Sequence, residues 1–487
     1  MASTLAKRPL RAAIIGAGMS GILAGIKLRE AGIAFTIYEK AARAGGTWRE
    51  NRYPGIACDV PSHHYCYSFA PNPEWSQRFS PGPEILAYFE QVAVTHEIDS
   101  RIRFNEEVVS AVYGGGEWRI KTARGHEETV DIVLCATGFL HHPVLPNIPG
   151  RDKFTGDAFH SARWDESVML AGRRVGIIGT GSTAMQIVPA IVDTAAKVTM
   201  FQRTAQWVLP LPNVAYTEEE KAQFRAEPDS MTKLYATWLE RFQNTISRAV
   251  VGDALEMSRL EAGCRENLEH NVHDPVLRAK LTPDYKVGCK RLIMSDIFYP
   301  AIQRPNAELV TSGIERIEPH GVRDREGNLH ELDVLVYATG FNGHAFMRPM
   351  QVLGVEGKRL DDTWAQSNLT HRSMSVPGFP NFFMLVGPYS PIGNFSVILI
   401  SELQLNYLQQ LLAPLQRGDC RAIAPTFEAT NAFLSELRGA MGNTVWATGC
   451  KSWYLDKTGS PEMWPFTFER FRDDMSRPRF EEYDLIH

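Results

Sequence analysis

Two glycine-rich turns constrain this chain more than any other feature: Gly16-Ala17-Gly18-Met19-Ser20-Gly21 and Gly179-Thr180-Gly181-Ser182-Thr183-Ala184. Each follows an apolar run that reads as a buried strand, at 11–15 and 175–178. The first turn also opens an apolar helix predicted over 22–31. Strand, G-x-G-x-x-G or G-x-G-x-x-A turn and helix form the fingerprint of a dinucleotide-binding unit. Its glycines make the turn and admit the backbone to a pyrophosphate, which the helix N-terminus attracts. Two such units predict an α/β chain with two Rossmann-like domains.

The residues after the second strand of each unit differ in charge. The strand at 34–38 ends at Glu39, 23 residues after Gly16. A carboxylate there accepts hydrogen bonds from a ribose diol and repels a 2′-phosphate, so this site is expected to hold FAD or NAD. The strand at 198–201 ends at Gln202, 23 residues after Gly179, with Arg203 and Thr204 next. The acid is gone and a guanidinium follows, which suits the 2′-phosphate of NADPH.

Composition excludes several classes. A net charge of −5 gives no reason to expect nucleic acid as a partner. The most apolar stretch, 382–400, is interrupted by Gly387-Pro388, Pro391 and Gly393, so no membrane span is expected, and the N-terminus shows no signal peptide. The seven cysteines include no C-x-x-C pair. They are expected to be reduced thiols in a cytoplasmic protein, with no metal site and no dithiol reductase centre.

The rest of the chain organises around the two units. An apolar strand with the ending Asp131-Ile132-Val133-Leu134-Cys135-Ala136-Thr137-Gly138-Phe139 has a near copy in Asp333-Val334-Leu335-Val336-Tyr337-Ala338-Thr339-Gly340-Phe341. Strands are predicted at 104–112, 118–122 and 381–386, and helices at 83–96 and 396–412. Tyr65, Tyr67 and Phe69 alternate as on a strand. From 215 the strand patterns vanish, and Thr217-Glu218-Glu219-Glu220 reads as a capping box opening a helical insertion, which would cover a cleft or pack between domains. The expected partition is 1–145 and 341–487 for the first nucleotide domain, 146–214 and 286–340 for the second, and 215–285 for the insertion.

Between the two fingerprints, Phe154, Gly156, His160, Trp164 and Asp165 fall at the spacing F-x-G-x-x-x-H-x-x-x-W-[PD]. That spacing resembles the signature of type I Baeyer–Villiger monooxygenases. Gly45-Gly46-Thr47-Trp48, Arg52-Tyr53-Pro54-Gly55-Ile56-Ala57-Cys58-Asp59 and Cys289-Lys290-Arg291-Leu292 are similar to that family's segments along the flavin and at its junction with nicotinamide. More loosely, Ser452-Trp453-Tyr454-Leu455 resembles its mobile tail. The resemblance implies FAD and NADPH as cofactors, a ketone and O2 as substrates, and an ester or lactone formed through a C4a-peroxyflavin.

By that resemblance Gly16, Gly18, Gly21, Glu39, Thr47, Trp48, Asp59, Tyr65, Val108 and Val397 belong to the FAD site. Thr180, Gly181, Ser182, Thr183, Ala184, Arg203, Thr204 and Lys290 belong to the NADP site. Arg291 is the catalytic cation and also a cofactor contact, Asp59 its partner, Trp453 a substrate-side contact, and His160 acts with Trp164 through domain coupling. A monomer or small homo-oligomer is expected. Competing readings are an N- or S-oxidising flavin monooxygenase, an NADPH-dependent flavin reductase and a non-catalytic scaffold.

Overall fold

The computed structural model describes residues 9–393 and 395–487. Each fingerprint strand lies at the centre of its own five-stranded parallel sheet. The first sheet runs in the order Phe382–Met384, Ile132–Cys135, Arg11–Ile15, Ala34–Glu39, Ile102–Phe104. The second runs Ala307–Val310, Lys197–Phe201, Arg174–Ile178, Val334–Tyr337, Asp157–His160. Strands such as Ile132–Cys135 and Val334–Tyr337 are buried along their whole length. This is why they read as unbroken apolar runs: both faces of a parallel sheet are covered.

Alternation along the central strand separates the two layers. Ala12 and Ile14 face helices Met19–Glu30 and Val397–Arg417. Ala13 and Ile15 face a four-stranded sheet of Val108–Gly114, Glu117–Thr122, Glu127–Val130 and Gln351–Leu353, through Ala111, Trp118 and Ile120. In the second domain Val175 and Ile177 join the core on the helix side, while Ile178 meets Ile317 and Val322 of a three-stranded sheet.

The two Ala-Thr-Gly endings close the same turn in each domain. A Cβ on Gly16 would sit 2.6 Å from the Ala136 carbonyl oxygen, and one on Gly179 2.2 Å from that of Ala338. Both glycines also have positive φ, +103° and +127°. No other residue fits there. After Gly340 the chain returns to the first domain, whose sheet Phe382–Met384 completes.

Several expectations are corrected. Tyr65, Tyr67 and Phe69 lie in turns, not on a strand: the Tyr65 amide bonds back to the Pro61 carbonyl at 2.8 Å, and the Tyr67 hydroxyl donates to Met19 O at 2.6 Å. The expected strand at 104–112 divides at Asn105, where φ is +57°, and its two parts join different sheets. Asp157–His160, read as part of a linker, is an edge strand of the second sheet. The thiols are not all reduced, since Cys289 and Cys450 form a disulfide across a sequence separation of 161.

The insertion holds five helices, Glu218–Ala226, Pro228–Asn244, Ile246–Val250, Ala254–Asn271 and Pro275–Leu281. The capping box forms at Thr217 and Glu220. The helices pack on the first domain through Phe224, Tyr235 and Phe242 around His63 and His64. They pack on the second through Leu260 and Cys264 against Trp207 and Leu292. None of its described residues lines the main cleft, so it packs between domains rather than covering the site.

Candidate active site

A cleft of about 1400 Å³ is lined by the loops at the carboxyl ends of both sheets, the place where open parallel sheets bind ligands. Helices Met19–Glu30 and Ser182–Ile191 both start at it. Their N-caps are Gly18 and Gly181, with no side-chain cap. Each leaves free N–H groups and the positive end of a dipole for an anion. A Cβ on Gly181 would meet nothing within 4 Å, so the approach is open; Gly18 faces the bare backbone of Gly46. These are pyrophosphate cradles in both domains, and they fit two dinucleotides.

Of the expected contacts, Thr47, Trp48, Tyr65, Val108 and Val397 line the first half of the cleft, and Thr180, Ser182, Thr183 and Thr204 the second. Gly21 and Ala184 do not. A Cβ on Gly21 would fall 1.9 Å from the Gly16 carbonyl oxygen, so this glycine lets the helix cross its strand closely. Ala184 is fully buried on the second helix.

The charge contrast persists in the fold. Glu39 is buried at its strand end, accepting from the Ala17 and Ala41 amides and from Arg49 Nη1, each at 2.9 Å. Gln202 instead donates to Lys280 O at 2.6 Å, and Arg203 and Lys290 line the cleft beside it. Burial and the nearby Arg203 charge both pull the Lys290 ammonium below its ordinary value. Two like charges lining one cleft favour an anion there.

The cleft's two halves meet at Arg291 and Asp59. A Cβ on Gly55 would stand 2.5 Å from the Gln186 carbonyl oxygen, and the Tyr53 hydroxyl donates to Gln186 Oε1 at 2.9 Å. Segment 52–59 therefore lies directly on helix Ser182–Ile191. That contact carries Asp59 across to Arg291, whose Nη2 donates to Asp59 Oδ2 at 2.5 Å. The Asp59 charge holds the guanidinium above its already high pKa, against the opposing effect of burial. Trp453 also lines the cleft, its ring stacked 5.9 Å from Phe139.

The whole of this arrangement has relatives. The family model for flavin-binding monooxygenase-like proteins matches residues 9–351. A Baeyer-Villiger monooxygenase of Streptomyces coelicolor is 41% identical, over 98% of this chain and 93% of that one. The chain belongs to the flavin-binding monooxygenases, in their Baeyer–Villiger branch. An uncharacterized monooxygenase of Mycobacterium tuberculosis is 49% identical, over 97% of this chain and 95% of that one. The crystal structure of OTEMO in complex with FAD and NADP superposes with a TM-score of 0.88 at 27% identity, covering 98% of this chain and 99% of that chain.

The family signature lies along and beside the edge strand of the second sheet. His160 does not line the cleft. Its Nε2 lies 3.1 Å from Gly340 O and its Nδ1 accepts from the Ala162 amide at 3.1 Å. Burial lowers its pKa, against the opposing hydrogen bond to Gly340 O. A Cβ on Gly156 would strike Asp333 O at 2.4 Å, so glycine lets the edge strand pair closely. Trp164 packs edge-on against Phe159 at 4.9 Å. The signature thus pins the end of Val334–Tyr337, where the chain leaves the second domain.

Sequence reasoning missed Tyr454. It stood beside Trp453 in the same quoted segment, but adjacency does not say which ring faces which partner. It also missed the buried rings of His63 and His64, whose only sequence signal is a paired histidine just before Tyr65 and Tyr67.

Proposed function

We infer that this monooxygenase binds FAD in the first domain and NADPH in the second, and uses O2 to insert an oxygen atom beside a ketone carbonyl, giving an ester or lactone. The observation that carries this reading is the Arg291–Asp59 pair at the meeting point of two nucleotide cradles. Bound there, FAD supplies the redox chemistry, accepting hydride from the nicotinamide and activating O2.

The chain's own residues do the rest. The uncapped helix at Gly18 holds one pyrophosphate and that at Gly181 the other. Arg203 and Lys290 grip the 2′-phosphate, whose charge relieves their mutual repulsion. Glu39, already oriented by the Ala17 amide, would hold the flavin nucleotide's ribose. Arg291 keeps a fixed positive charge where an anionic oxygen develops, and it loses no proton at working pH. Asp59 fixes the direction of that charge. Trp453 over Phe139 narrows the cleft and helps exclude water. His160 acts at the domain junction as a positioning residue. We also propose that the boundaries at 145, 214, 285 and 340 separate units that fold around the two cradles.

The test is product analysis on the FAD-loaded protein supplied with NADPH, O2 and a panel of cyclic, linear, aryl and steroid ketones. One ester per NADPH consumed, with at least one ketone, is expected. NADPH oxidation that yields only hydrogen peroxide across the panel overturns the reading in favour of a reductase. Oxidation of amines or sulfides with no ester overturns it in favour of heteroatom oxidation.

A further inference from the structure

Arg291 is held from two sides. Its Nη2 reaches Asp59. Its Nη1 faces the turn at Gly393 on the other side, where a Cβ would meet Tyr454 Oη at 2.9 Å and Arg291 Nη1 at 3.3 Å. The phenol and the guanidinium therefore share one small space that only a glycine leaves open. Tyr454 is buried and, unlike its neighbour Trp453, does not line the cleft. It approaches the guanidinium from behind.

The segment that carries Tyr454 is tied down at several points. Cys450 is bonded to Cys289, which lies two residues before Arg291. His344 Nε2 lies 2.9 Å from Trp453 O, and the Glu462 amide donates to Tyr454 O at 2.8 Å. The phenol packs at 4.5 Å from the Trp453 ring and 6.1 Å from that of Trp446. So one short loop presents Trp453 to the cleft on one side and Tyr454 to the catalytic cation on the other.

We propose that Tyr454 is a positioning residue for Arg291, through which the docking of loop 450–462 sets the place of the guanidinium in the cleft. Asp59 fixes one edge of the guanidinium and the Tyr454 hydroxyl the other. The Trp453 face of the cleft and the catalytic cation then form and separate together. The contact itself stands independently of the proposed function; only its catalytic consequence rests on that reading.

A double-mutant cycle tests it with Tyr454→Phe, Arg291→Ala and the double variant. Phenylalanine keeps the ring and removes only the hydroxyl. The first readout is the rate of tryptic cleavage after Lys451 and Lys457 in the folded proteins, both exposed on this loop. Each single variant is expected to be cut roughly tenfold faster, as for a lost hydrogen bond to a charged group. The double variant should be cut no faster than either. The second readout is ester formed per NADPH consumed, expected to fall roughly tenfold in Tyr454→Phe while FAD content, flavin reduction and KM for the ketone stay as in the parent. Cleavage effects that multiply in the double variant, or a Tyr454→Phe protein that matches the parent in both readouts, overturn the proposal. Should the parent form no ester from any ketone, the functional reading fails while the cleavage cycle still decides the contact.

Discussion

Of the cleft's cations Arg203, Lys290 and Arg291, only Arg291 has a hydrogen bond to a carboxylate among the described residues. Burial and the Arg203 charge weigh against the Lys290 charge, with Asp284 opposing them only in part. An anion between Arg203 and Lys290 offsets the repulsion, so Arg203→Gln should raise KM for NADPH by roughly tenfold or more and leave KM for NADH nearly unchanged. Steady-state kinetics with the two nucleotides checks this; equal effects on both would show that Arg203 does not read the 2′-phosphate. Arg291 belongs to the chemistry rather than to binding. Arg291→Ala should retain FAD and oxidise NADPH, yet lose ester formation by roughly a hundredfold or more, the scale on which a preorganised donor to a developing oxyanion acts. Normal ester yield from that variant would remove Arg291 from its role.

At the scale of elements, the insertion meets the first domain through two histidines that cannot be read as ligands. His63 packs against Tyr216 and Phe224, and His64 against Tyr235 and Phe242. Burial pushes both rings down to about 4. Unfolded histidine titrates near 6.5, so between pH ~6.5 and ~4 the unfolded chain takes up protons that the folded chain refuses. Stability from this interface is therefore fully present above pH ~6.5 and is lost as pH falls toward ~4, by about 1.4 kcal/mol per pH unit for each ring. Thermal midpoints measured from pH 7.5 to 4.5 should fall less steeply in His63→Phe and His64→Phe than in the parent. Parallel curves would mean that the insertion is not held by neutral rings.

On the whole-molecule scale, the C-terminal segment ties the chain together. Strand Tyr483–Ile486 pairs with Ala422–Pro425. Buried Arg372 is held by Glu482 at 2.8 Å and Asp474 at 3.2 Å. Glu482→Ala leaves Arg372 with one acid, and breaking a buried pair in this way costs about 3 kcal/mol. A clear drop in the thermal midpoint is expected; an unchanged midpoint would show that Asp474 alone suffices. The Cys289–Cys450 bridge joins the catalytic-arginine segment to the tail loop. In denaturant without reductant five of the seven cysteines should react with a thiol reagent, and all seven after reduction. Seven before reduction would remove the bridge.

Local chemistry made much of this protein legible in its sequence. A glycine with positive φ under a carbonyl, an uncapped helix start and an acid or arginine at a strand end are short-range requirements, so Gly16, Gly179, Glu39 and Arg203 announce the two cradles by spacing alone. Fully covered parallel strands announce themselves as apolar runs for the same local reason. The tertiary structure decided what depends on distant segments meeting. Asp59 reaches Arg291 only because Gly55 lets its segment lie against Gln186. Tyr65 and Tyr67 alternate like strand residues but find no neighbouring strand to pair with. His160 carries a family signature yet spends both ring nitrogens on backbone groups, one of them 180 residues away. Cys289 and Cys450 have no motif between them, and the return of the 450 loop to the Cys289 segment, not spacing, paired them. Contacts of that kind are long-range packing, which no local pattern in the chain encodes.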